Sequence, residues 1–241
     1  MPVWLYTLIP VAAMILGAAV TIWRRPGPAM TSGVQHLAAG VVFAAAAGEL
    51  LPDLKRAHSP GIVLIGGLCG VAVMLIVKQL GKRAKGQGGL VAITAVDIFI
   101  DGLVLGIGFV AAARTGLLLT IALTLEVLFL GVTVAIALSE DAKSRLKVVA
   151  AVGGIGLLLP LGSLLGGLAS GLPHSVITGL FAFGLIALLY LVTEELLVEA
   201  HERPEGPIVT SMFFIGFLAL LTLNQRVLGS SPSASTIFPH R

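Results

Sequence analysis

Three acids stand where an apolar chain has little use for them. Asp97 and Asp101 lie in AVDIFIDGLVLGIGF, and Glu126 lies in ALTLEVLFLGVTVAIAL. Both stretches are long and apolar enough to cross a bilayer, with the acids near the middle of each. A carboxylate at that depth costs about 2.5–3.5 kcal/mol on insertion scales. A single such acid reads as an interface residue or a protonated hydrogen-bond partner between helices. Three on consecutive segments read as a site.

Their depths follow from counting. A short turn around Arg114–Gly116 joins the two segments, which makes them antiparallel neighbours. Asp101 lies 13 residues before Arg114 and Glu126 lies 12 after it, so at about 1.5 Å rise per residue the two sit nearly level. Asp97 is i,i+4 from Asp101, on the same face and one turn farther from the turn. Level with Asp97 on the second helix is Leu130, an apolar corner.

Three anions in a low-dielectric pocket cannot all stay ionised and unpaired; protons or a cation must join them. No Lys or Arg falls within either helix. Oxygen ligands suit hard or borderline divalent ions such as Mg, Mn or Fe(II), whereas zinc more often takes sites rich in His and Cys.

The elements that position these acids come from the composition. With 57% hydrophobic and 11% charged residues and a mean hydropathy of +1.04, the chain reads as an all-α polytopic membrane protein. The net charge of +3 then reflects loop topology and implies no nucleic-acid partner. The single cysteine, Cys69, excludes an intrachain disulfide framework and reads as packing. Eight spans are predicted, at 3–23, 32–52, 60–79, 89–112, 116–138, 147–170, 174–198 and 207–224, in one domain over 1–228. The Ser/Pro-rich tail 229–241 reads as disordered. The first span lacks a basic leader and is followed by Arg24 and Arg25, so it reads as a span and not as a cleaved signal.

Basic residues set the orientation. Arg24, Arg25, Lys78, Lys82, Arg83, Lys85, Lys143, Arg145, Lys147 and Arg203 fall on one side. Lys55, Arg56, Arg114, Arg226 and Arg241 fall on the other. Ten against five predicts the first side as cytoplasmic, in a cell membrane, with both termini outside.

Further acids line up along this axis. Glu49 and Asp53 end the second span and read as an entrance. Glu194 and Glu195 fall toward the inner end of the seventh, and with Glu199 they read as an exit. Glu140 and Asp141 read as surface acids of a connector, and His36 as a satisfied histidine. Glycines in the third span (Gly66, Gly67, Gly70) permit close packing, and Pro160 is expected to kink the glycine-rich sixth span. Acids at one end, the middle and the other end together mark a cation route.

These residues resemble the ZIP family of divalent metal transporters, over essentially the whole membrane region. DIFIDGLVLGIGF (Asp97–Phe109) is similar to the family's HNFPEGLAVGxxF, and EVLFLGVTVAIAL (Glu126–Leu138) to its bacterial (Q/H)NIPEGLAVALAL. The segments AAGVVFAAAAGELLPDL and LLYLVTEELLVEAH resemble the matching second and seventh spans, with Glu49 where a His is usual. Asp97 takes the place of the fourth span's first His and Asp101 that of its acid. Glu126 replaces the fifth span's His or Gln, and Leu130 that span's acid. Ile98 and Val127 replace the polar residues of a second metal, and Ile100 and Phe129 replace two prolines.

The resemblance implies a single metal site of Asp97, Asp101 and Glu126, carrying zinc, iron, manganese or a similar ion. It also implies a 3+2+3 arrangement of spans, often a homodimer, and rocking or elevator movement. Two other readings stand against transport of a metal. One is a ZIP scaffold that exchanges protons or another solute, motivated by Leu130 and the missing imidazoles. The other is an intramembrane hydrolase, disfavoured because both aspartates share one helix and no Ser–His pair or Arg-rich site accompanies them. The chain is expected not to be an enzyme.

Overall fold

The computed structural model describes residues 4–83, 86–139, 144–202 and 206–229. The connector acids Glu140 and Asp141, the basic residues Lys85, Lys143, Arg203 and Arg241, and the tail beyond Gly229 lie outside the described residues.

The predicted all-α membrane architecture is present: among the described residues eight helices are long and apolar enough to cross a bilayer. We number them α1 (Trp4–Trp23), α2 (Pro28–Arg56), α3 (Pro60–Arg83), α4 (Gln87–Ala111), α5 (Ala113–Ser139), α6 (Arg145–Gly171), α7 (His174–His201) and α8 (Pro207–Gly229). Such helices suit a bilayer because every backbone polar group is satisfied within its own segment. Leucines and isoleucines such as Leu64, Ile65, Leu68, Ile76 and Leu80 cover the exposed side of α3, the composition of a lipid-facing surface. Cys69 stands on this exposed side as well. It fills no core position, contrary to expectation.

Three helices are interrupted among the described residues, two of them beside a proline. In α2 the turn Ala46–Leu50 is a π-helix, closed by the Leu51 N–H on the Ala46 carbonyl. Pro52, just beyond, has no N–H to continue the α-helical ladder. In α7 the turn Val192–Leu196 is also π, closed by the Leu197 N–H on the Val192 carbonyl. The expected break in α6 falls at Leu157, between helical runs Arg145–Gly156 and Leu158–Gly167. That places it one residue past Gly156, whose carbonyl the Pro160 ring would crowd.

The connection between α4 and α5 is tighter than expected. It is the single extended residue Ala112 (φ −158°, ψ 141°), and Arg114–Gly116 form the first turn of α5.

The main packing partners are α1 with α5, α4 with α6, α2 with α8 and α3 with α7, while α4 and α5 also pack on each other. Exchanging α1, α2, α3 and α4 for α6, α7, α8 and α5 returns the same set of pairs. The two π turns sit in α2 and α7, which also exchange. Small residues permit the close crossings. At the α4–α6 crossing a Cβ on Gly102 or Gly106 would collide with the Leu159 or Ser163 carbonyl. A Cβ on Gly162 or Gly166 would strike the carbonyls of Phe99 and Leu103. Backbones this close leave no room for a side chain, so the crossing fixes the height of α4, and with it Asp97 and Asp101. In α3 the glycines do similar work: Gly66 abuts Gly179 and Gly70 abuts Phe183 and Ile186 of α7.

Candidate functional site

Asp97, Asp101 and Glu126 all point into the bundle, with relative exposures of 3%, 2% and 0%. Asp101 on α4 and Glu126 on α5 lie with their carboxyls within hydrogen-bonding reach of each other. Asp97 makes the same kind of approach to Glu195 of α7. The four acids therefore form a chain, Glu126–Asp101–Asp97–Glu195, whose middle link is one turn of α4.

Among the described residues no N–H or O–H group reaches Oδ1 of Asp97, Oδ2 of Asp101 or either carboxylate oxygen of Glu126. A carboxyl facing a carboxyl needs a shared proton or a cation between the oxygens, because ionised carboxylates only accept. Buried acceptors left without donors are costly, and their concentration at one place asks for something positive. Among the described residues no three His, Cys, Asp or Glu side chains are gathered into one coordination shell. The acids stand in two pairs instead. Closing them on one ion takes a rearrangement of the longer side chains, Glu126 and Glu195.

The neighbouring positions on α4 and α5 are apolar. Ile98 and Val127 are fully buried, Phe129 and Ile100 nearly so, and Leu130 packs half-buried against the core. No polar side chain occupies these positions.

From Glu195, half-buried on the π turn of α7, the charge continues outward. Glu199 and Lys78 are its electrostatic neighbours. Lys78 Nζ donates to Glu194 Oε2 at 2.6 Å, with the two side chains 38% and 46% exposed. Glu194 is thus an exposed ion-pair partner, while Glu195 belongs to the buried chain. The identity of two adjacent glutamates gives no sign of which faces inward; the π turn decides it.

The opposite end is built differently. Glu49 sits on the π turn of α2, is 7% exposed, and is held by three donors. Asn224 Nδ2 of α8 donates at 2.8 Å, Thr115 Oγ1 at 3.3 Å and Arg114 Nη2 at 3.4 Å. Sequence reasoning missed this network, since the partners lie 65 to 175 residues away. Asp53 stands at the end of α2 with Arg56 at 3.4 Å. It lines a cavity of about 340 Å³ with Arg56, Val110, His174 and Thr178. His36 is buried and its Nδ1 donates to the Ser32 carbonyl at 2.9 Å.

No family model matches the chain, and no curated protein matches it.

Proposed function

We propose that this chain is a ZIP-like transporter that carries a divalent cation across a cell membrane, toward the side bearing most of its basic residues. The observation that carries the reading is the set of buried carboxylate oxygens on Asp97, Asp101 and Glu126 that no donor among the described residues reaches. Asp97, Asp101 and Glu126 bind the ion by this account, with displacement of protons. Asp53 and the cavity beside it receive the ion from the Arg114 end. Glu195, with Glu199, releases it at the end marked by the exposed Lys78–Glu194 pair. The oxygen-only donor set favours a harder ion such as Mn(II) or Fe(II) over Zn(II).

The exchange pattern among helix pairs and the matching π turns in α2 and α7 support a 3+2+3 repeat, the kind of architecture that alternates access around a midplane site. A homodimer and termini outside the cell belong to the same reading. The chain is not an enzyme on this account.

A second reading has its own observation. The acids meet as two pairs and not as one shell, the geometry of shared protons as much as of a bound ion. On that reading the scaffold exchanges protons or a proton-coupled solute. Uptake of a divalent ion into vesicles reconstituted with the protein, against Asp101→Ala, tests the leading reading. Uptake that survives the substitution unchanged removes the assigned site. Calorimetric titration with Mn(II) separates the two readings, since a scaffold dedicated to protons gives no binding heat.

A further inference from the structure

Thr115, Leu119, Ala122 and Glu126 fall at i, i+4, i+7 and i+11 of α5, which places them along one face of the helix. All four are buried, at 4%, 0%, 1% and 0% exposure. The face that carries Glu126 therefore runs, toward the Arg114 end, into the Thr115 hydroxyl that Glu49 accepts. Between them lie only Leu119 and Ala122 on that face, and Leu119 is pressed against Gly108 of α4.

Two layers thus lie over the acids at this end. The upper is polar, a carboxylate tying α2 to α5 and α8 through three donors. The lower is a dry contact between α4 and α5. Toward the other end the acids continue through half-buried Glu195 to the exposed Lys78–Glu194 pair.

We propose that Glu49 is a gate latch and not a ligand: with Arg114, Thr115 and Asn224 it locks the Arg114 end shut, and release of this network opens the way to Glu126. The inference rests on the transport reading for its purpose. Its geometry is independent of which ion moves. A buried carboxylate with three donors is a strong closure, because breaking one donor away leaves a desolvated charge. Yet two of the three donors, Arg114 and Thr115, come from the first turn of α5, where small movements separate partners. The π turn carrying Glu49 is a one-residue insertion of the kind that lets a helix re-aim a side chain.

The test reads access and not transport. In a Cys69→Ser background, Ala122→Cys places one thiol between the latch and Glu126. Proteoliposomes of the full chain are exposed, from the Arg114 side, to a membrane-impermeant charged methanethiosulfonate. With the latch intact the thiol reacts slowly. With Arg114→Gln, Glu49→Gln or Thr115→Val it reacts at least tenfold faster. Thr115→Val is nearly isosteric and decides the matter if the charge variants do not fold. Equal rates with and without the latch overturn the proposal, as does fast reaction while the latch is intact. Uptake that ignores Asp101→Ala would remove the transport reading without altering these rates.

Discussion

Asp97 on α4 and Glu195 on α7 meet carboxyl to carboxyl, and this contact joins the most deeply buried acids to the charged end of the bundle. It makes Glu195 part of the site. Its neighbour Glu194, spent on Lys78 at the surface, is not.

The two glutamates are therefore expected to differ sharply. Glu195→Gln should lower the uptake rate at least tenfold, whereas Glu194→Gln should change it by less than about threefold, in line with the small effects of exposed ion pairs. Initial rates in proteoliposomes, normalised to protein content, distinguish the pair. Equal effects would make Glu195 a hydrated helix-end acid and not part of the site.

Glu126 is fully buried, and no donor among the described residues reaches either of its carboxylate oxygens. An amide there removes a buried acid whose desolvation the fold opposes. Glu126→Gln should leave the thermal midpoint in detergent no lower than the parent's. Affinity for Mn(II) should still fall at least about tenfold, or about 1.4 kcal/mol. A midpoint that drops by many degrees would mark Glu126 as structural cement.

Much of this architecture is legible in the sequence, for a physical reason. Eight apolar runs separated by charged or Gly/Pro breaks leave few alternatives in a bilayer, and their boundaries fall within a few residues of those expected. The convergence of Asp101 and Glu126 follows from a short connection and a constant rise per residue. It holds although Ala112 alone forms the connection and Arg114–Gly116 belong to α5. What the sequence does not convey is the facing of residues on π turns. One inserted residue rotates everything beyond it by about 100°, and neither AAGEL nor VTEEL announces that insertion. Hence Glu49, expected as an entrance residue, is held by Arg114, Thr115 and Asn224, and Glu195 reaches Asp97.

The α4–α6 crossing should be intolerant of added volume where backbones touch. Gly106→Ala puts a Cβ into the Ser163 carbonyl, whereas a Cβ at Gly154 meets no atom within 4 Å. The first should cost about 1–3 kcal/mol; the second should be neutral or slightly stabilising through helix propensity. Thermal midpoints of the two variants give the comparison, and equal values would contradict the packing described for α4.

Metal binding to carboxyl pairs that share protons must expel those protons. Titrating Mn(II) into weakly buffered protein should release about one to two protons per ion, and Asp101→Asn should abolish the release. Binding heat without proton release would mean that the pairs do not share protons before the ion arrives. No heat at all would favour the proton-exchange reading.

The most direct measurement is initial uptake of Mn(II) into proteoliposomes holding the full chain, beside the same chain carrying Asp101→Asn or Glu126→Gln. The account predicts saturable uptake by the unaltered protein and a loss to near the empty-vesicle rate in both variants, with each still folded. Uptake that persists in both variants, or none by the unaltered protein for any divalent ion tried, would contradict it.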